Sequence, residues 1–260
     1  MTGSRIVRLW PVADAEPGND AALDDDALAD AYAPDRPSVR VNFVTSTDGA
    51  VELAGYSEGL SGPADQRVFG VLRMLCDGLL VGAGTLRHEG YGAVRLNGRR
   101  RDWRTSRGLP PYPTLVVVSR SLALDPRQGA FADAPVRPIV LTCATAPAAA
   151  AAALAEVADV VTVGERAVDL RAAVDLLRER GLSHLLSEGG PSVLGALTAA
   201  DLVDELCLTV SPLLAGPGAG RITAGPGSPP RRLSLRHALA AEGMLILRYA
   251  RSASPPARPG

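Results

Sequence analysis

Short apolar runs alternate with helix-like segments along most of this chain, and that alternation restricts its fold more than any other feature. Runs rich in Val, Leu and Ile fall at residues 39–46, 78–82, 114–119, 136–142, 157–163, 183–187 and 204–212. Their shortness and near-continuous apolar character read as strands buried on both faces. Helix candidates fill the gaps at 63–76, 146–158, 168–180 and 191–200. The first opens on Pro63 and carries Val68, Val71, Leu72 and Leu75 at helical spacing; the second is Ala-rich; the third stops before Gly181; the fourth follows a glycine pair. The pattern predicts an α/β fold with a mixed, mostly parallel central sheet and helices on both faces.

The ends differ. "RRLSLRHALAAEGMLILRYA" reads as two strands joined near Glu242 and Gly243, an antiparallel hairpin at the sheet's C-terminal edge. "RIVRLW" reads as a short added strand and "DAALDDDALADAY" as a short helix with a solvated acidic face. The tail "SASPPARPG" has a disordered composition. "RLNGRRRDWRTSRGLPPYP" reads as a long basic loop, solvated or substrate-facing, without the aromatic ladder of a nucleic-acid surface.

Composition narrows the function classes. With 47 % apolar residues in 260, a real core can be buried. A net charge of −1 gives no overall attraction to nucleic acid or an anionic membrane. All 27 basic residues are Arg, as GC-rich coding would produce, so no Lys can serve as base, Schiff-base former or phosphate ligand. Cys76, Cys143 and Cys207 are far apart in apolar settings and read as reduced core residues. His88, His184 and His237 are equally scattered, so no metal site is expected. No apolar run reaches membrane-spanning length and the first 20 residues lack a signal-peptide core, which predicts a cytoplasmic protein.

Two glycine loops carry the functional signal. "LLVGAGTLRHEGYG" fails as a dinucleotide fingerprint: Gly82 and Gly84 fit GxGxxG, but Arg87 stands at the third glycine, and the acid expected about 20 residues on would be Asp102, inside the basic segment. It remains either a plain strand-to-helix turn or a phosphate-binding helix start, with the amides of Ala83, Gly84 and Thr85 exposed and Thr85 and Arg87 adding polar groups. "LLSEGGPSVLGAL" has the same form, and two such turns at the C-terminal end of one sheet make a cleft able to hold a pyrophosphate. Glu188 would point into that cleft, or cap a turn, or pair with an Arg. In "NFVTSTDGA", Asn42, Thr45 and Ser46 place polar groups on a core strand, which calls for a ligand or for internal partners.

These elements, with "SGPADQRVFGVLRMLCDGLLVGAGTLRHEGY" and "VDELCLTVSPLLAG", resemble the pyrimidine reductase, or RibD C-terminal, family of riboflavin-pathway enzymes, whose fold is like dihydrofolate reductase. The resemblance covers roughly residues 39–250 and divides the chain into an N-terminal arm (1–38), a reductase domain (39–250) and a tail (251–260). It implies NADPH-dependent reduction of the ribosyl group of 5-amino-6-(5-phosphoribosylamino)uracil to ribityl, and a homodimer. It places Thr45, Gly84, Thr85, Glu89, Ser119, Arg120 and the turn Gly189, Gly190, Pro191, Ser192, Val193 and Leu194 at the cofactor. Asn42, Ser57, Arg73, Arg95 and Glu188 fall to the substrate, Arg73 and Arg95 clamping its phosphate. Asn42 stands where many members have Lys, Glu89 where Asp is usual, and Gly90-Tyr91 where many have a proline. No deaminase half is present in this sequence.

For the chemistry, Glu188 would hold pyrimidine or ribose donors, and Asp48 would assist proton transfer or merely cap its Asp-Gly turn. Other readings are a pteridine or dihydrofolate reductase on the same fold, a non-catalytic NADPH-binding protein and, more distantly, a nucleic-acid binder using residues 95–107.

Overall fold

The structure, a computed structural model, describes residues 4–11 and 22–252. Most of the tail read as disordered, 253–260, lies outside the described residues, as does the centre of the N-terminal arm, 12–21.

Among the described residues, ten strands form one sheet: β1 (Val7–Trp10), β2 (Ser38–Ser46), β3 (Gly78–Gly82), β4 (Thr114–Val118), β5 (Ile139–Thr142), β6 (Asp159–Thr162), β7 (His184–Ser187), β8 (Glu205–Ser211), β9 (Leu233–Ala241) and β10 (Met244–Arg251). Their order is β1-β9-β10-β8-β2-β7-β3-β4-β5-β6. From β8 to β6 every neighbouring pair is parallel, while β8–β10, β10–β9 and β9–β1 are antiparallel. The hairpin β9–β10 turns at Glu242 and Gly243, both with positive φ. It makes the antiparallel edge of the otherwise parallel sheet, with β1 added outside it.

The helices are α1 (Asp25–Tyr32), α2 (Pro63–Leu75), α3 (Ala83–His88), α4 (Gly98–Thr105), α5 (Gly129–Ala132), α6 (Ala148–Ala155), α7 (Leu170–Glu179) and α8 (Gly190–Ala199). One core joins α1, α2, α3, α5 and α6 to one face of the sheet; a second joins α7 and α8 to the other. α7 shows how the local code works: Asp169 caps the amides of Arg171 and Ala172, Leu170, Ala173, Val174 and Leu177 face inward, and Gly181 at φ 85° follows its end. Burying Val174 and Leu177 is worth roughly 1.5–3 kcal/mol each.

Two expectations change. Residues 95–113 are not a loop: Asn97 caps α4 by accepting from the amide of Arg100. Two of its arginines turn inward while Arg99 stays exposed. Arg104, 1 % exposed, donates to the carbonyls of Met74, Cys76 and Pro110, and Arg100 lies where a side chain at Gly70 would sit. The Arg104 guanidinium satisfies the end of α2 and that of Arg100 lies along its flank, so the segment packs as structure. Second, β6 is an exposed to half-buried edge strand rather than one buried on both faces, because no strand follows it in the sheet order.

The N-terminal arm is part of the core. Ile6, Leu28 and Tyr32 are fully buried. Arg40 and Arg248 donate to the carbonyls of Tyr32, Ala31 and Ala33 at the end of α1, while Glu205 neutralises both at 2.6 Å. Two cations at a helix C-terminus complement its dipole.

What positions the site is a mismatch of strand lengths. β7 ends at Ser187, opposite Val41, while β2 runs on to Ser46 paired only with β8. A slot therefore opens between β2 and β3 beyond the end of β7. The chain reaches β7 only after building β3 to β6 outward, so the slot lies at a reversal of strand order, where α/β sheets place ligands.

Candidate active site

A cavity of about 920 Å³ fills this slot, near the upper end of the usual ~300–1,000 Å³ of ligand sites. It has two parts. One is walled by Gly82–Thr85, by Val118–Ser121 after β4, and by Gly189–Val193. The other is walled by Asn42 and Val44 of β2, by Asp65, Gln66, Phe69 and Arg73 of α2, and by the 52–61 loop, His88, Glu89 and Tyr91. Glu188 stands between the two.

The glycine turns pack on each other. A Cβ at Gly189 would meet the amide nitrogen of Gly82 at 2.5 Å, and one at Gly190, whose φ is 57°, would meet Thr85 Oγ1 at 2.5 Å. Gly82 and Gly189 thus serve backbone-to-backbone approach. Gly84 differs: a Cβ there would meet nothing among the described residues within 4 Å. Open space over small residues, two loops lined with amides, and the Ser119 and Ser121 hydroxyls fit the phosphates and sugars of a dinucleotide. α3 has only six residues and so little dipole, leaving the local N–H groups as the source of attraction. Ser119 Oγ accepts from the amide of Leu122 and keeps its own proton to donate. The exposed Arg120 guanidinium has no partner among the described residues.

Of the expected cofactor residues, Gly84, Thr85, Glu89, Ser119, Arg120, Gly189, Gly190, Pro191, Ser192 and Val193 line the cavity. Glu89 turns toward the other part, accepting from Ser57 Oγ at 3.2 Å. Thr45 is buried away from the cavity, and Leu194 lies in the α7–α8 core.

Of the expected substrate residues, Asn42, Ser57, Arg73 and Glu188 line the cavity. Arg73 and Glu188 meet each other: Nε and Nη2 of Arg73 donate to the two carboxylate oxygens at 2.8 and 2.6 Å. Tyr91 adds its hydroxyl to Glu188 Oε2 at 2.5 Å. Burial opposes the charge on Arg73, but the Glu188 carboxylate more than offsets this and keeps its pKa above the usual value. Burial, then the charge of Glu188, raise the Tyr91 phenol well above its ordinary range. Arg95 does not join them; its Nη2 donates to the carbonyl of Asp133 at 2.7 Å, so no two-arginine clamp forms.

Asp48 is also elsewhere. Its carboxylate accepts from the amides of Ala215 (3.1 Å) and Gly216 (2.8 Å) and from Ser46 Oγ, and it does not line the cavity. The Ser46 hydroxyl, then those amides, bring its pKa down to about 2, which leaves it no proton to give near neutrality. The Asp-Gly turn is a staple between the end of β2 and the 212–216 loop. Ser46 thus has internal partners, which leaves Asn42 as the polar group β2 presents to the cavity.

Asp65, Gln66 and Phe69 were not singled out from the sequence, although a signal existed. Asp65, Phe69 and Arg73 are spaced i, i+4, i+8 on a helix whose other side is apolar, so the face that carries Arg73 carries all three.

The family comparison agrees with this architecture. The RibD C-terminal domain model matches residues 37–246. A 2,5-diamino-6-ribosylamino-4(3H)-pyrimidinone 5′-phosphate reductase of Archaeoglobus fulgidus is 29 % identical over 182 residues, 70 % of this chain and 83 % of that protein. The crystal structure of a pyrimidine reductase-like protein of Corynebacterium diphtheriae superposes with a TM-score of 0.77 at 29 % identity, covering 84 % of this chain and 93 % of that one. A riboflavin biosynthesis reductase of Saccharomyces cerevisiae shares the fold at a TM-score of 0.61 and 19 % identity, over 86 % of this chain and 98 % of that one. The architecture is dihydrofolate reductase-like. By the family-model match over most of its length, the chain belongs to the RibD C-terminal domain family.

Proposed function

We propose that this chain is an NADPH-dependent reductase that converts the ribosyl group of a 6-ribosylaminopyrimidine 5′-phosphate into a ribityl chain. The observation that carries this reading is the two-part cavity, with a glycine-lined half that fits a dinucleotide and a half walled by α2 and β2 that meets it at Glu188. Family membership and the name of the Archaeoglobus relative support the reaction class. That relative is named for a 2,5-diaminopyrimidinone, whereas the sequence reading gave a uracil; the two rings differ at C2.

NADPH, when bound, supplies the hydride. The residues do the rest. The amides of Gly84, Thr85, Ser192 and Val193 bind the pyrophosphate, and Thr85 Oγ1 donates beside them. Ser119, Ser121 and Arg120 receive the adenosine 2′-phosphate, Arg120 being free to turn to it. Glu188 and Tyr91 hold Arg73 in place, and Arg73 Nη1, which has no hydrogen bond among the described residues, faces the substrate phosphate. Asn42 offers a donor and an acceptor to the ribose hydroxyls.

The assembly is a homodimer. On the sheet face away from α1 and α2, Leu206, Leu208, Val210, Leu245, Leu247 and Tyr249 form an apolar stripe across β8 and β10, and Leu245 is 42 % exposed. Sedimentation as a monomer at micromolar concentration would remove this part. Among the described residues no helix is long and apolar enough to cross a membrane. The three cysteines are free and buried, which suits the cytoplasm.

The test is stopped-flow loss of nicotinamide absorbance on mixing protein and NADPH with each ribosylaminopyrimidine phosphate, and with dihydrofolate and a dihydropterin. Turnover of a ribosylaminopyrimidine alone supports the reading. Turnover of a pterin alone, or tight NADPH binding without turnover of anything, overturns it.

A further inference from the structure

Asp65 has no place in the roles assigned so far, yet it is the most unusual group in the cavity wall. It occupies the first turn of α2, is only 6 % exposed, and shares the cavity-facing side of the helix with Phe69 and Arg73. Its Oδ2 accepts from Ser61 Oγ at 2.6 Å. Among the described residues its side chain makes no other hydrogen bond and no ion pair. An ionised carboxylate accepts about four donors, and burying one with a single neutral partner is costly. The start of α2 offsets part of that cost through its dipole. The residue lines the cavity and its remaining oxygen has no donor among the described residues, so it calls for N–H donors from a ligand.

We propose that Asp65 reads the pyrimidine ring and makes the protein selective for a 2-amino-4-pyrimidinone over a uracil. The inference rests on the reading given under Proposed function and specifies the C2 substituent of its substrate. The edge of a 2-amino-4(3H)-pyrimidinone that carries N3–H and the 2-amino group presents two parallel donors. A carboxylate receives such a pair through both oxygens, Oδ2 sharing one with Ser61. The same edge of a uracil offers N3–H beside the C2 carbonyl, so one carboxylate oxygen would face another acceptor. That loses a hydrogen bond and adds repulsion in a site with little water to relieve it.

The test compares 2,5-diamino-6-ribosylamino-4(3H)-pyrimidinone 5′-phosphate with 5-amino-6-(5-phosphoribosylamino)uracil at saturating NADPH, in the wild-type protein, Asp65→Asn and Ser61→Ala. Calorimetric binding of 2,5,6-triamino-4-pyrimidinone and of 5,6-diaminouracil, without cofactor, accompanies it. The wild type should favour the 2-amino substrate by at least ~10-fold in kcat/KM, as sites with paired buried polar groups do. Asp65→Asn should erase or invert this preference, chiefly through KM for the 2-amino substrate, because its amide can donate to a C2 carbonyl. Ser61→Ala, which keeps the carboxylate, should retain it. Equal use of both substrates by the wild type, or an Asp65→Asn loss equal for both, overturns the proposal. Turnover of neither substrate overturns the functional reading instead. The two free bases then decide on Asp65 alone: preference for the triaminopyrimidinone that Asp65→Asn abolishes supports it, and equal affinity overturns it.

Discussion

Arg73 and Glu188, 115 residues apart in sequence, close on each other through two parallel hydrogen bonds of 2.8 and 2.6 Å where the two halves of the cavity meet. Glu188 is 2 % exposed in its side chain and Arg73 22 %, so the pair is sealed on one side and open to the cavity on the other. Removing either partner should cost about 2–4 kcal/mol in urea unfolding, below the ~3–5 of a fully buried pair because water still reaches Arg73. Tyr91→Phe keeps the pair and removes one donor, so about 1 kcal/mol is expected. Its larger effect should be on kcat/KM, since Glu188 and Arg73 lose their orientation.

The glycines should separate folding from binding. Gly189→Ala drives a Cβ to 2.5 Å from a backbone nitrogen and should unfold the turn, read as a large drop in Tm. Gly84→Ala meets nothing among the described residues within 4 Å and sits in a helix, so stability should hold or rise by up to ~1 kcal/mol. Its methyl enters the dinucleotide half, so NADPH affinity measured by fluorescence titration should fall. Unchanged affinity would place the coenzyme elsewhere.

Asp48→Asn should loosen the 212–216 loop without abolishing turnover. Faster amide exchange at Ala215 and Gly216 is the direct readout. The folded-state pKa of about 2 lies below the ordinary value of 3.8, so the stabilisation from this carboxylate is present above pH 4 and is lost as pH falls toward 2. Wild type and variant should therefore differ in stability at pH 7 and converge near pH 2. Turnover lost at unchanged Tm and exchange would restore a chemical role to Asp48.

His237, 3 % exposed and edge-on to Tyr32 at 4.5 Å, makes folding sensitive to mild acid. Burial, then the charges of Arg248, Arg8 and Arg40, hold its pKa down to about 4, against 6.5 when free. The unfolded chain takes up the proton first, so stability is full above pH 6.5 and declines as pH falls toward 4, by up to roughly 3 kcal/mol. Urea unfolding of the wild type and His237→Gln at pH 7 and pH 5 checks this: the wild type should lose more on acidification.

Local order was legible in the sequence because its causes are local. Residues within a few positions of one another decide whether a run such as 78–82 extends or a stretch such as 170–179 coils, where a helix is capped, and where a glycine must turn. The alternation of such runs was enough for a mostly parallel sheet with two glycine turns at one end. Partner choice was not legible, because charged side chains are satisfied by groups far along the chain. The carboxylate of Asp48 is occupied by amides 167 and 168 residues away, Arg100 and Arg104 turn from an apparent basic loop into the flank and end of α2, and Arg95 points to Asp133 rather than to a phosphate. Only the packed sheet, in which β7 stops short between β2 and β3, decides which polar groups face a shared cavity and which are consumed in holding the walls together.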